Sequence, residues 1–391
     1  MALIDAIQEA LRAEGLDGWL FFDHHRRDPL AYRVLQFEPA QSVSRRWYYL
    51  VPAEGEPRKL VHKIEPNVLD PLSGSTTYYS GWRDQRVHLP ELLGGCKRVA
   101  MQYSPNCAVP YVSNVDAGTV ELVRGYGVEV VTSANLIQIF EAVWSEAQFA
   151  SHKQAGTLVD AVRRAAFARV SDALRAGTRV TEFEIQQFIC DGFTRSGLTY
   201  DHGPIVAVNG NASNPHYDPD REHSSPIQAG DLLLIDLWAK LAQPRAVYYD
   251  ITWTGYCGET PKPEMLNVFA AVTGARDAAV ACVKNAVDEG EPLAGFQVDD
   301  ACRNFLRERG LDLHFFHRTG HSIGEEVHGN GANMDNYETH DERLVIPGTC
   351  FSVEPGVYLP DFGIRSEVNV YRGKSSAEVT GEIQTELLRL L

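Results

Sequence analysis

Apolar residues recur at helical spacing from Ile4 to Glu14, and Gly15 closes the run. A short apolar strand follows at Trp19 to Phe22. Trp47 to Val51 and Lys59 to His62 flank Pro52-Ala53-Glu54-Gly55-Glu56-Pro57, the pattern of a hairpin. Val99 to Gln102 and Val128 to Val131 read as further strands. Strands alternating with helices predict a small α/β domain. The pattern changes near Ser145. Glu146 to Leu174 holds no proline and only Gly156, and its apolar residues recur at three and four, which predicts one long helix. The domains are therefore expected at 1–145 and 146–391.

The second part repeats itself. Gly177 to Leu198 aligns without a gap on Gly290 to Leu311, with Phe183 on Phe296, Ile185 on Val298 and Gly197 on Gly310. Each copy reads as a loop, a helix and a glycine stop, and Thr181 with Glu184 forms a capping-box pattern. After each helix come a strand region, a histidine (His216 or His328) and an acidic hairpin. The first hairpin runs Gly230 to Asp236, with a second acid at Asp250. The other runs Gly348 to Glu354, with a second acid at Glu367. In both, a glycine precedes an apolar run that is read as ending in the carboxylate. The implied object is a pseudo-two-fold α/β domain with its site between the halves.

A carboxylate against a buried apolar strand is costly unless something positive meets it. Four of them, from two related hairpins, point to metal cations. The segment His317-Arg318-Thr319-Gly320-His321-Ser322-Ile323-Gly324 adds imidazole, the commonest neutral ligand for first-row metals. One histidine with four carboxylates is a hard, oxygen-rich set that favours Mn²⁺ or Co²⁺, with Zn²⁺ or Fe²⁺ compatible. Its negative charge suffices for two divalent ions, which would hold a bridging hydroxide between them. A lone Asp at a strand end is usually a cap or a turn residue. The order Asp, Asp, His, Glu, Glu, each in its own context, outweighs that reading.

Composition narrows the class. Among 391 residues, 44% are hydrophobic, enough for a sizeable core. A formal net charge of −16 argues against nucleic acid as a main partner. No stretch approaches 18 uncharged apolar residues, so no membrane span is expected, and the start of the chain lacks the pattern of a signal peptide. Seven cysteines without CxxC spacing read as buried thiols of a reducing compartment, which predicts a cytoplasmic protein.

These segments resemble those of the pita-bread metallopeptidases, and within them the Xaa-Pro group of prolidases and aminopeptidase P. The resemblance covers the whole chain. It rests on Ile235-Asp236, Tyr249-Asp250-Ile251-Thr252, Thr319 to Gly324, Val353-Glu354-Pro355-Gly356-Val357-Tyr358 and Gly363-Ile364-Arg365-Ser366-Glu367. Leu11-Arg12-Ala13-Glu14-Gly15-Leu16-Asp17 is similar to the start of the family's creatinase-like N-terminal domain. The resemblance implies a creatinase-like α/β domain followed by a C-terminal pita-bread domain of mixed α/β (α+β) class. It further implies that Asp236 chelates one metal, that Asp250 and Glu367 bridge two, and that His321 and Glu354 complete the other. Glu354 would also take the proton of the bridging water. Arg365 and Tyr358 would steady Asp236, and His216 and His328 would line the substrate pocket. A homodimer is implied as well, each N-terminal domain approaching the partner's site. The chain departs from the family at the long gap between Asp236 and Asp250, at Trp238, at Glu325-Glu326, and at Ser366 and Val368. None of these removes a ligand.

The expected activity is a dinuclear, Mn²⁺-dependent exopeptidase that hydrolyses the Xaa-Pro bond of dipeptides (prolidase), with aminopeptidase P acting on longer peptides as the alternative. A dipeptidase needs a cation near the proline carboxylate. Arg45 and Arg46 are candidates, as are Arg26 and Arg27, and His317 is a further substrate-binding candidate. A metal-free creatinase-type hydrolase or a non-catalytic interaction protein on the same fold would lack part of the ligand set.

Overall fold

The computed structural model describes residues 3–39 and 42–391. The chain divides into two compact units, Met1–Glu141 and Ala142–Leu391. In the first, a mixed sheet carries Ser75–Tyr79, Arg58–His62, Trp47–Pro52, Gly18–Asp23, Arg98–Met101 and Glu129–Thr132 in that spatial order. Both faces of its central strands are covered. Trp19, Phe21, Tyr49 and Val51 pack with Ile7 and Leu11 of helix Leu3–Ala13. Leu20, Phe22, Tyr48 and Leu50 pack with Leu89 and Leu92 of helix Trp82–Leu93. Two-sided burial explains why these strands read as continuous apolar runs rather than as alternation. The predicted hairpin forms, with Tyr48 opposite Leu60.

The second unit is built twice. Helices Glu146–Ala176 and Glu182–Arg195 bury Val159, Phe167, Ile185 and Ile189 against Leu233, Ile235 and Ile251 of the paired strands Leu232–Leu241 and Tyr249–Tyr256. Helices Pro263–Glu289 and Gly295–Arg307 bury Val272, Val298 and Cys302 against Phe351, Val353 and Val368 of the paired strands Thr349–Val353 and Val368–Arg372. Gly177 and Gly290, at matching places in the repeat, end the first helix of each pair in the left-handed conformation (φ +65° and +72°). The capping box of Thr181 and Glu184 is present, as is a second one of Ser145 and Gln148.

The strand carrying Asp236 does not end there. It continues to Leu241, and Asp236 lies mid-strand opposite Thr252. The alternation persists past the acid: Leu237 and Ala239 stay in the core, so the ladder has no reason to stop. The longer gap to Asp250 is the far end of this hairpin, where Arg245 takes φ 61°. Glu354, by contrast, directly follows its strand, as the sequence implies.

Helix Pro263–Glu289 is long and apolar enough to cross a membrane by length and composition alone. Half of its most apolar window is buried, and Val268, Val272, Ala275, Ala279 and Val283 belong to the core that also holds Phe351.

His152, on helix Glu146–Ala176, is fully buried. Its Nδ1 donates to the Tyr248 carbonyl (2.7 Å), which leaves Nε2 to accept from the Thr380 hydroxyl (2.7 Å). Burial holds its pKa down at about 4. An unfolded histidine titrates near ~6.5, so the unfolded chain binds the extra proton first as pH falls between those values. The stability due to neutral His152 is complete above ~6.5 and is lost toward pH 4. Metal-free protein should therefore lose about 2–3 kcal/mol more between pH 7 and 4.5 than the His152→Gln variant does. Urea unfolding at the two pH values checks this, and equal losses would contradict it.

Candidate metal centre

The five expected ligands arrive from both halves. Asp236 and Asp250 stand on the antiparallel strands of the first, Asp250 opposite Trp238. Glu354 follows strand Thr349–Val353 and Glu367 precedes its partner Val368–Arg372. His321 adjoins the short strand Ser322–Ile323, which pairs with Cys350 and Phe351. Its neighbour Gly320 passes so close to strand Thr349–Val353 that a Cβ there would lie 1.9 Å from the Ser352 carbonyl oxygen. Only glycine allows that approach. It lets Thr319 accept from the Glu354 amide (2.7 Å) and His321 accept from the Ser352 amide (2.8 Å).

Ligand-capable atoms of Asp250, His321 and Glu367 all lie within 4.8 Å of one another. His321 Nε2 lies 3.6 Å from Asp250 Oδ2 and 3.6 Å from Glu354 Oε1. Its Nδ1 faces the Ser322 carbonyl (3.1 Å) and so carries the proton. Burial, together with the nearby His328 and Arg318, holds the ring well below its ordinary pKa, hence neutral. The bare lone pair of Nε2 therefore points at two carboxylates. Asp236 Oδ1, Asp250 Oδ1 and Glu367 Oε1 are buried and accept no hydrogen bond among the described residues. Burial and mutual repulsion push Asp250 and Glu367 well above the usual carboxylate range, and burial pushes Glu354 up to about 7. Lone pairs converging without donors are the arrangement a cation resolves, and oxygen with one imidazole suits a hard divalent ion.

The groups around these ligands are fixed in turn. Arg365 is buried, with one guanidinium nitrogen on Asp236 Oδ2, Nη1 on the Tyr358 hydroxyl (3.0 Å) and Nε on Thr252 Oγ1 (3.1 Å). Tyr358 thus steadies Asp236 through Arg365 rather than directly. His317 Nδ1 donates to the Arg318 carbonyl (2.7 Å), so its Nε2 accepts from the Tyr358 hydroxyl (2.7 Å). Both its ring nitrogens are engaged, which argues against the direct substrate contact expected of it. Thr252 donates to Glu367 Oε2 (2.8 Å), and Asn369 accepts from the Asp250 amide (3.0 Å) across the two hairpins. Neither was assigned a role from sequence. The signal was there: Thr252 and Asn369 each stand two residues after an acid, hence on the same strand face.

His216 and His328 are exposed, within electrostatic range of one another, and the His328 ring packs edge-on against His321 (4.3 Å between centroids). In the first unit, Arg45 is exposed and Arg46 partly so. Both line a 600 Å³ cleft with His24, His25, Arg27 and His62. Arg26 turns away to pair with Glu38 (3.2 Å).

Two helix-backed half-sheets that close on one carboxylate–imidazole cluster, in a chain that begins with an α/β unit, form the architecture of the pita-bread metallopeptidases. The chain belongs to metallopeptidase family M24, whose profile matches residues 150–373. It is 27% identical over 224 residues to the Xaa-Pro dipeptidase of Lactobacillus delbrueckii subsp. lactis, covering 57% of this chain and 55% of that one. The chain spans about half the length of several curated relatives it matches. Among solved structures it is similar to dipeptidase PepE from Mycobacterium ulcerans (24% identity, TM-score 0.71, 99% of this chain and 97% of that one). It is also similar to X-prolyl aminopeptidase from Caenorhabditis elegans, described as a cytosolic enzyme with a di-nuclear active site (17% identity, TM-score 0.65, 98% of this chain and 62% of that one).

The crowding of charge has a signed consequence. Without metal, ionised Asp250 opposes folding, so Asp250→Asn should raise the stability of chelator-treated protein at pH 8. With saturating divalent metal the order should invert. The parent should gain about 3 kcal/mol at a hundredfold excess over Kd, and the variant much less. Thermal unfolding with chelator and with Mn²⁺, Co²⁺ or Zn²⁺ measures both. A variant that is less stable without metal yet gains as much with it would refute this account of the site.

Proposed function

We propose that the chain is a dinuclear metal-dependent exopeptidase that hydrolyses the Xaa-Pro bond of dipeptides, and that the 146–391 region is its catalytic domain. The observation that carries this is the buried cluster in which Asp250, His321 and Glu367 bring ligand atoms within 4.8 Å of one another, with the bare Nε2 of a neutral His321 facing Asp250 and Glu354 and with oxygens of Asp236, Asp250 and Glu367 lacking donors among the described residues. The family membership and the Xaa-Pro dipeptidase among its relatives support the same reading. Asp236 would hold one cation, His321 and Glu354 the other, and Asp250 and Glu367 both. Mn²⁺ suits the oxygen-rich set, with Co²⁺, Zn²⁺ and Fe²⁺ as alternatives. Bound divalent ions supply Lewis acidity toward the scissile carbonyl and lower the pKa of water. Glu354, with Ser352 Oγ 3.3 Å from its Oε1, is the carboxylate that takes up a proton. Arg365 keeps Asp236 oriented. His216 and His328 hold the peptide and its developing tetrahedral centre. Seven free thiols are in keeping with a cytoplasmic enzyme.

The enzyme acts as a homodimer in which the basic cleft of one N-terminal unit meets the substrate carboxylate in the partner's site. Arg27, Arg45 and Arg46 concentrate positive charge in a chain of net charge −16, which supports a role in anion capture. The alternative, aminopeptidase P acting on longer peptides, has no need of that cation.

Activity on Xaa-Pro dipeptides should exceed activity on Xaa-Pro tripeptides and longer peptides in a panel run with each metal in turn. The reverse preference would favour the aminopeptidase. His321→Ala should lower bound metal, whereas His328→Ala should keep metal and lose turnover. Metal analysis beside kcat separates the two roles, and equal metal loss in both variants would remove the distinction. Replacing Arg45 and Arg46 together by Ala should cost dipeptides about ten- to more than a hundredfold in kcat/KM while sparing longer peptides. Equal loss on both substrate classes, or none, would show that these arginines do not read the carboxylate.

A further inference from the structure

Glu182 is the first residue of helix Glu182–Arg195 and is completely buried, with no cationic side chain bonded to it among the described residues. Its carboxylate is satisfied by donors from one long loop. Oε1 accepts from the Val208 amide (2.8 Å) and Asn211 Nδ2 (2.9 Å). Oε2 accepts from the Tyr217 hydroxyl (2.7 Å) and the Ser225 amide (2.7 Å). Val208 ends strand Ile205–Val208, and Ser225 lies just before the bridge between Pro226 and Thr181. One side chain therefore clasps both ends of the 209–225 loop. One turn further along the helix, the largely buried Gln186 donates to the Pro204 carbonyl (3.0 Å) and to Asp218 Oδ1 (2.9 Å). Tyr217 and Asp218 are the two residues that follow the exposed His216.

The other half of the fold uses the same place in the repeat for the same task. Asp299 aligns with Gln186. Its carboxylate accepts from the Thr319 amide (3.0 Å) and hydroxyl (2.6 Å) and from the Asn336 amide (3.1 Å). In each half, the second helix thus fastens a segment that carries a histidine of the site.

We infer that Glu182 is a positioning residue that sets His216 in the substrate pocket by clamping both ends of its loop, with Tyr217 as the link between carboxylate and histidine. This rests on the proposed role of His216. Loop closure by four hydrogen bonds to one buried carboxylate leaves no slack at the loop's base, while His216 itself stays exposed. The isosteric change Glu182→Gln breaks the clamp in either orientation. Its amide N–H must face the backbone N–H of Val208 or that of Ser225, and neither can accept.

The test is a double-mutant cycle on the metal-loaded, full-length chain. Glu182→Gln should lower kcat/KM about tenfold or more with metal content unchanged. In the His216→Ala background the same change should cost less than about twofold. Tyr217→Phe, which removes one of the four bonds and spares both amides, should show the same pattern at smaller amplitude and remains informative if Glu182→Gln folds poorly. An equal loss in both backgrounds would mean that Glu182 only supports the fold, and would overturn the inference. Amide hydrogen exchange separates this outcome from a failure of the His216 role itself. Glu182→Gln should speed exchange in 209–225 and leave the two sheets unchanged, whatever His216→Ala does to activity. Unchanged exchange in that loop would overturn the clamp, and full activity of His216→Ala would overturn its purpose.

Discussion

Four carboxylates and one imidazole share a buried space with too few donors to satisfy them. Each acid alone would be an ordinary strand or turn residue. Together they create repulsion that folding by itself does not relieve, as the upward shifts of Asp250, Glu354 and Glu367 register. Arg365 offsets part of it by contacting Asp236. The rest demands cations, because a neutral donor would have to reach oxygens that no described side chain approaches. The protein is shaped to hold negative charge close and to let metal resolve it.

Holding that charge requires two hairpins that share no strand to stay in register. Polar side chains do this. Asn369 meets the backbone of Asp250, Thr252 meets Glu367, and Gln384 takes both the amide and the carbonyl of Thr254. Arg276, buried on helix Pro263–Glu289, supports them by bonding Ser366 Oγ and the Gln384 carbonyl (both 2.8 Å). Ser366 supplies the hydroxyl that this arginine uses. Buried polar side chains of this kind fix one arrangement, because any other would leave them unpaired.

The duplicated frame explains why the site can be both crowded and orderly. Each half contributes a long helix, a second helix and a two-stranded ladder, and most apolar residues of these elements pack within their own half, while Leu232 and Tyr256 join the core of the other and Tyr248 meets Cys350 between them. The polar faces are what remain to meet at the centre. The helix positions that carry Gln186 and Asp299 tie histidine-bearing segments in both halves, so the repeat extends to these polar contacts.

Much of this was legible in the chain itself. The long helix after Ser145, the hairpin around Glu54 and the repeat with its glycine stops follow from local periodicity and residue type, which no tertiary contact overrides, and the five candidate ligands were marked by residue type together with the family resemblance. The end of the strand at Asp236 did not follow, because a carboxylate inside a ladder is allowed only by Arg365, far along the chain. The roles of Thr252, Asn369, Glu182 and Asp299 were equally hidden. Their partners lie in other elements, so period-two or period-3.6 patterning marks them as inward-facing without saying what they meet. The surroundings of His317 were hidden for the same reason: its sequence suggests a substrate contact, and the fold adds that Tyr358 and the Arg318 carbonyl engage both its nitrogens. Sequence alone determined which elements form and which side chains could bind metal. Tertiary structure decided which lone pairs are left without donors, because that depends on distances between segments that local pattern does not encode.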